Sequence, residues 1–394
     1  MIPVKQAIAT LNNNLNKGPV HQVSLSSAVG HILSEDVYAP VNLPPFDQSA
    51  MDGYAVAIGC SPTYTVIADV AAGEQHDLRL EAGQAARIFT GAAIPEGANA
   101  VVMQEKVQQN GSTIHVTDVE EYDNIRPGGE QIMKGDLALS RGTALTPAAV
   151  GFLSAMGIEK ISVYQKPRIS ILVSGDELVY PGNDLQHGQI YESNSAQLKA
   201  ALASEGITQV TKKHVRDEFE TTKQEIKKAI SRSDIVIITG GISVGDYDFA
   251  GQAVNELGVN ELFYKVAQKP GKPIYAGKKS DTLVFALPGN PASCLTGFYI
   301  YVLPAVRHFL GYTESHLKRK KRRISSAVTK KEGRALFLKA KLKNNNTVEI
   351  LEGQSSAMLH TFSIADALVY LSPDQVVVKE GDEVDTILLP VRTN

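Results

Sequence analysis

The residues of this chain whose types and spacing suit chemistry are carboxylates in loops, glycine-rich turns and one pair of lysines. Pro44 to Val56 reads PPFDQSAMDGYAV, with Asp47 and Asp52 among small residues between a stiff Pro-Pro entrance and Gly53. An acidic loop just ahead of the strand-like run Tyr54 to Ile58 suits a cation or a hydroxyl-bearing ligand, or is a polar turn between two elements. VSGDEL (Val173 to Leu178) sets Asp176 and Glu177 after one apolar run, and ITGGISVGDYDF (Ile238 to Phe249) sets Asp246 and Asp248 after another. Acids from separate strand ends that converge on one crevice suit a divalent cation with phosphate. The alternative for Asp248 is the N-cap of the next helix.

LPGNPAS (Leu287 to Ser293) leaves a strand and opens a helix. Gly289 permits close backbone approach, and the free N–H groups and helix dipole suit an anion, unless the segment is a plain connection. Lys269 and Lys272 flank a Pro-Gly turn in QKPGKPI, where neighbouring ammonium groups suit phosphate or another oxyanion. TGAAIPEGANAVVMQE (Thr90 to Glu105) and NIRPGGEQI (Asn124 to Ile132) read as turns by themselves. No P-loop ending, dinucleotide fingerprint, HExxH, zinc knuckle or Ser–His–Asp order occurs.

Composition narrows the classes. The 394 residues give two to four domains at roughly 100–200 residues each. A formal net charge of -3 gives no global pull toward nucleic acid or membrane, so an anionic ligand must be met by local basic groups. Cys60 and Cys294 make no disulfide framework, and Cys294, in an apolar helical run, reads as a small buried hydrophobe. The first residues lack the apolar core of a signal peptide, and no window approaches ~20 apolar residues, so a cytoplasmic protein is expected.

The elements that must position these groups follow from periodicity. Val4, Ala7, Ile8 and Leu11 share one helical face, within an N-terminal helical or linker layer over 1–46 and 138–166. In the second piece Thr146 caps a helix opened by Pro147 and stopped by Gly157. Residues 47–137 hold short β-type runs such as TYTVIADV and NAVVMQEKV and read as a small inserted β domain. Residues 167–317 alternate strand, loop and helix, which implies a parallel-type sheet with ligands at the carboxyl ends of its strands. Ser193 or Asn194 is expected to cap SAQLKAALASEG. Residues 318–394 are β-rich again; KRKKRR (Lys318 to Arg323) reads as a solvated linker and NNN at 344–346 as a hairpin tip.

Each of these motifs, in the same order along essentially the whole chain, resembles one of the MoeA/gephyrin-E family, the molybdopterin molybdenumtransferases or molybdenum insertases. The resemblance implies a multidomain α/β plus β protein: a MogA-like α/β domain, an inserted small β domain, a barrel-like C-terminal β domain and an N-terminal helical layer, elongated overall. It implies functional roles for Asp52 in the MDG loop, Thr90 in TGAAIPEG, Glu177 in SGDEL, Asp217 in HVRD, and Asp246 and Asp248 in GGISVGDYD. It implies substrate contacts from Lys269, Lys272, Pro288 and Pro291, with Ser174, Gly175, Gly240, Gly241, Gly289 and Asn290 in the same loops. Shorter matches bring Arg334 and Ser356, and Glu177, Asp246 and Asp248 are the implied metal ligands.

Two positions depart from the family pattern: Gln48 stands where Asn is usual, and Gln131 where an acid is common, which removes a charge. The implied reaction takes adenylylated molybdopterin and molybdate and yields the molybdenum cofactor and AMP, with Mg²⁺ or a similar divalent cation. The implied assembly is a homodimer, with each cleft formed by the α/β domain of one chain and parts of its mate. The implied partners are a MogA-like adenylyltransferase that supplies the substrate and downstream nucleotidyltransferases or apo-molybdoenzymes. Alternatives are the adenylyltransferase step itself, a nucleotide pyrophosphatase, or a non-enzymatic scaffold. A lone α/β enzyme would lack the Asp52 loop and the C-terminal β domain, and a scaffold would not need the acids. The N-terminal helical face, too short to cover itself, is expected to be covered by the mate.

Overall fold

The structure is a computed structural model that describes residues 1–242 and 249–390. The chain divides into two compact units, one of residues 1–21, 30–34 and 162–394, the other of residues 22–29 and 35–161. The four-part division expected from the sequence is finer than this.

The larger unit is built on a six-stranded sheet in the order Val210–Val215, Ile169–Ser174, Ile235–Thr239, Thr282–Leu287, Tyr275–Lys279, Asn260–Tyr264. The first four strands are parallel; Tyr275–Lys279 runs antiparallel to them, and Asn260–Tyr264, antiparallel to it in turn, forms the edge. Ile235 and Ile237 enter the hydrophobic core on one face, while Val236 and Ile238 enter that on the other. Burial on both faces is why these strands read as continuous apolar runs. Helix Phe219–Arg232 turns Thr222, Ile226 and Ala229 inward at helical spacing. The long helix from Pro291 to Phe309 is unbroken because a π-helical turn, Phe298–Val302, precedes Pro304, which lacks an N–H to donate.

The N-terminal helix Val4–Asn12 buries Val4, Ala7 and Leu11 in the same core as Phe263 and Val266. The Ile2 N–H donates to the Lys265 carbonyl. Its apolar face is therefore covered within one unit of the same chain, not left for a mate as expected.

Five strands, Arg319–Ile324, Ala335–Lys343, Thr347–Ile350, Ala367–Leu371 and Glu383–Leu388, close into a barrel. The basic run is thus a barrel strand and not a linker. Most of its charges are exposed, and Lys321 pairs with Asp385 across the strands at 3.0 Å, whereas Arg322 is half-buried and its Nε is without a hydrogen-bond partner among the described residues. Asn345 and Asn346 adopt positive φ at the hairpin tip.

The smaller unit carries a second six-stranded sheet, in the order Ala100–Met103, Gly53–Val56, Gln84–Ile88, Thr63–Val70, Thr113–Val116, Val107–Asn110. Gly53–Val56 is buried on both faces. Gly53 is required there, because a Cβ would sit 1.9 Å from the Val102 carbonyl oxygen. Thr146 caps helix Pro147–Ala155 by accepting from the Ala149 N–H at 3.2 Å. Among the described residues no helix is long and apolar enough to cross a membrane.

Candidate active-site cleft

The carboxyl ends of the parallel strands open into a cleft of about 620 Å³. Ser174 is the last residue of its strand, and its hydroxyl donates to Asp217 Oδ1. The Asp176 N–H donates to Asp217 Oδ2 at 3.4 Å, and the Asp217 N–H to Asp176 Oδ1 at 3.3 Å. His214 Nε2 lies 2.9 Å from the Gly175 carbonyl. The SGDEL and HVRD loops are therefore tied into one wall, with Ser174 and Asp217 facing the cleft. Glu177 also lines it, with no hydrogen bond to its carboxylate found among the described residues.

The TGG turn forms the floor. Gly240 has φ +81, and a Cβ there would sit 2.3 Å from the Ser174 carbonyl oxygen, so the backbone crossing demands glycine. Thr239 is fully buried, lines the cleft and keeps a hydroxyl without a hydrogen-bond partner. A strand-end threonine such as Thr239 carries no sequence signal beyond its neighbouring glycines.

The opposite wall is the LPGNP turn, whose Pro288, Gly289, Asn290 and Pro291 line the cleft. Asn194 Nδ2 donates to the Gly289 carbonyl at 2.7 Å and holds the turn. Neither Ser193 nor Asn194 caps helix Asn194–Ser204. Glu192 does so from upstream, accepting from the Ser195 N–H at 2.7 Å and its hydroxyl at 2.5 Å. Glu192 is only 4% exposed and borders the cleft; with Ser193 and Asn194 adjacent, the cap preference pointed to the wrong residue.

The anion site expected from the first helical N–H groups after LPGNP is not formed by them. The Ser356 carbonyl accepts from the N–H groups of Ala292 and Ser293 at 3.1 and 3.3 Å, and Asn290 Nδ2 donates to Ser356 Oγ at 3.1 Å. A loop of the C-terminal barrel thus caps this helix and brings Ser356 to the cleft rim. Lys339, 3% exposed, holds that loop by donating to the carbonyls of Gly353, Ser355 and Met358 at 2.8, 3.2 and 3.1 Å. Burial lowers its pKa. A lysine in an alternating strand pattern gave no sign of this.

Lys269 and Lys272 stand on either side of the Pro270-Gly271 turn; neither lines the cleft, though Pro273, next to Lys272, does. Strand Gln268–Lys269 pairs in parallel with the barrel strand, Lys269 opposite Leu336, and the Ala335 N–H reaches the Ala267 carbonyl at 2.9 Å. That register sets Arg334 beside the lysine segment. Neither lysine ammonium has an ion pair or hydrogen bond among the described residues.

In the smaller unit Asp52 and Thr90, 38 residues apart, meet. Asp52 Oδ1 accepts from the Thr90 N–H at 2.8 Å and from its hydroxyl at 2.7 Å. These two bonds, the backbone one first, hold the Asp52 carboxyl below its ordinary value of 3.8, with a smaller contribution from the Arg87 charge. Arg87 lies over the rings of Tyr54 and Phe89 and donates to the Gly53 carbonyl at 2.9 Å. Asp47 instead pins a turn, accepting from the Gly128 N–H at 2.7 Å. Gln131 is held through its backbone N–H to the Leu43 carbonyl at 2.9 Å.

Asp246 and Asp248 lie outside the described residues. Among the described residues no group of three His, Cys, Asp or Glu is placed to hold a metal. Cys294 is buried, and burial pushes its thiol far above the ordinary range, so it is inert. Cys60 is exposed.

Three family models cover the chain: MoeA N-terminal region (domain I and II) over residues 2–157, a probable molybdopterin binding domain over 170–308, and MoeA C-terminal region (domain IV) over 321–389. A molybdopterin molybdenumtransferase of Staphylococcus aureus (strain Mu50) is 32% identical over 399 aligned positions, 98% of this chain and 95% of the relative. One of Staphylococcus epidermidis (strain RP62A) has the same identity and coverage. The crystal structure of a molybdopterin biosynthesis MoeA protein from Pyrococcus horikoshii superposes with a TM-score of 0.85 at 32% identity, over 98% of this chain and 99% of that one.

Proposed function

This chain belongs to the MoeA family, and from that premise we propose that its α/β cleft binds adenylylated molybdopterin and there exchanges AMP for molybdenum. The activity is that of a molybdopterin molybdenumtransferase, a molybdenum-inserting step of cofactor biosynthesis. One observation carries the assignment of the cleft: Ser174, Glu177, Asp217, Gly240 and the LPGNP turn line a single cavity at the carboxyl ends of the strands.

The roles follow from the chemistry of each group. Gly240 and Gly241 leave backbone open to the substrate phosphates. Asp217 holds the Ser174 hydroxyl, so the serine presents lone pairs to the cleft. Glu177, free of a partner among the described residues, is the group for water or a phosphate proton. Lys269, Lys272 and Arg334 supply the positive charge that molybdate and phosphate need. Asn290 and Ser356 close the rim. The Asp52–Thr90 pair is a second acidic element of the same reaction.

A divalent cation such as Mg²⁺ belongs to the family reading. The described residues offer it one free carboxylate, Glu177, because Asp217 is engaged by Ser174 and Asp176; they do not by themselves make a cation site. The roles above are those of the chain's own groups. A homodimer, a cytoplasmic location, a supplying adenylyltransferase and downstream nucleotidyltransferases or apo-molybdoenzymes complete the reading.

The test is single-turnover release of AMP from adenylylated molybdopterin with and without molybdate. Molybdate-dependent release is expected. Release that ignores molybdate would instead favour a pyrophosphatase, and no release a scaffold.

A further inference from the structure

Gln268 is 0% exposed, beside a core that holds Phe263, Val266, Ile274 and Tyr301. A buried side-chain amide costs stability unless both its ends are bonded, and an apolar side chain of like size carries no such cost. Both ends of Gln268 are bonded. The Tyr301 hydroxyl donates to Oε1 at 2.5 Å, and Nε2 donates to the Pro270 carbonyl at 2.9 Å. A carbonyl can only accept, so Nε2 must face Pro270 and Oε1 must face the tyrosine. Burial pushes the Tyr301 hydroxyl far above its ordinary range, so it stays protonated and donates. Tyr301 itself comes from the π-helical turn Phe298–Val302, is 0% exposed, and packs its ring 5.5 Å from that of Phe263.

This relay ends on the turn that separates Lys269 from Lys272. The Lys272 carbonyl is held by the N–H groups of Val266 and Ile274, both at 3.0 Å, while the Pro270 carbonyl is met by the Gln268 side chain. Gly271 has φ +78, and a Cβ there would lie 3.5 Å from both Gln268 Nε2 and the Ser293 carbonyl. The turn is therefore wedged between the amide and helix Pro291–Gly297. Neither lysine lines the cleft, so each must reach an anion there along a flexible stem. The main chain from which that stem leaves decides what it can reach.

We infer that Gln268 and Tyr301 are positioning residues, a buried relay that fixes the Pro270-Gly271 turn and so sets where Lys269 and Lys272 meet a tetrahedral oxyanion. The inference rests on the reading of those lysines as the anion-binding charge. Neither residue touches the anion; both act through the lysines.

The experiment is calorimetric titration of the full chain with molybdate and, separately, with inorganic phosphate. The anion that Lys272→Ala weakens is the one the turn serves. Gln268→Met keeps the bulk of the side chain and removes both bonds, and should weaken that anion by about tenfold or more. Tyr301→Phe removes the hydroxyl alone and should weaken it by about threefold or more, which keeps the test open if Gln268→Met does not fold. In a Lys272→Ala background Gln268→Met should cost about threefold or less, because half of the charge it positions is gone. A full tenfold cost there would mean that the glutamine acts on stability and not through the lysines, and overturns the relay. Affinity lowered by Lys272→Ala but untouched by Gln268→Met and Tyr301→Phe overturns the relay alone. Neither anion bound by the parent chain, or both bound as tightly by Lys272→Ala, overturns the lysine reading and the relay with it.

Discussion

Single residues carry the clearest expectations. Asp52 is fully exposed yet held ionised by two bonds from Thr90, which points to a charge kept for use and not for packing. Thr90→Val removes the hydroxyl donor, so the Asp52 pKa should rise toward 3.8, and the acid limb of the rate profile should move up in pH with it. Carboxyl-detected NMR gives the first quantity and AMP release the second; an unmoved pKa would deny the hydroxyl its part. Asp52→Asn and Glu177→Gln should each lower the rate by about a hundredfold or more with little change in melting temperature, since both stand in loops outside the cores. Near-normal turnover in both variants would sink their roles. Lys272→Ala should weaken molybdate binding, and more so at low salt, because an unpaired ammonium acts through charge.

At the scale of elements, two glycines and one lysine separate folding from function. Gly240→Ala forces a Cβ against the Ser174 carbonyl at positive φ and should cost about 1–3 kcal/mol of stability. Gly289→Val has room, its nearest foreign atom being 3.7 Å from a Cβ, so it should fold normally and lose affinity if substrate approaches that turn. Equal melting losses in the two variants would refute this distinction. Lys339→Met leaves three carbonyls of the Ser356 loop without their donor and should destabilise the protein by about 1–3 kcal/mol. It should also raise KM more than it lowers kcat, because the loop that reaches Asn290 is loosened.

These elements show where sequence is legible. Apolar runs such as Ile235–Thr239 fix the parallel strands, and Thr146, Pro147 and Gly157 mark one helix completely. The glycine-rich and acidic loops mark the cleft walls. What escaped was long-range. The pairing of Asp52 with Thr90, the capping of helix Pro291–Gly297 by a carbonyl from a distant loop, and the burial of Lys339 depend on contacts that no local pattern encodes. The basic run looks like a linker in sequence because most charges of this barrel strand are exposed.

For the whole molecule, Asp52 and Glu177 belong to different compact units of the chain. The family reading makes each working cleft from the α/β domain of one chain and parts of a mate. The N-terminal helix lends that assembly no argument, since its apolar face is already buried within the chain. Function therefore provides the sharper test. If Asp52 and Glu177 of one cleft come from different chains, a heterodimer of Asp52→Asn with Glu177→Gln gathers both lesions in one cleft and leaves the other intact. Such heterodimers, isolated by two affinity tags, should show about half of wild-type AMP release, although each parent homodimer is nearly inactive. Sedimentation should give a dimer at micromolar concentration. A monomer would end the proposal outright. A dimer without recovery would mean that each chain completes its own cleft, and both acids would then have to be sought on one protomer.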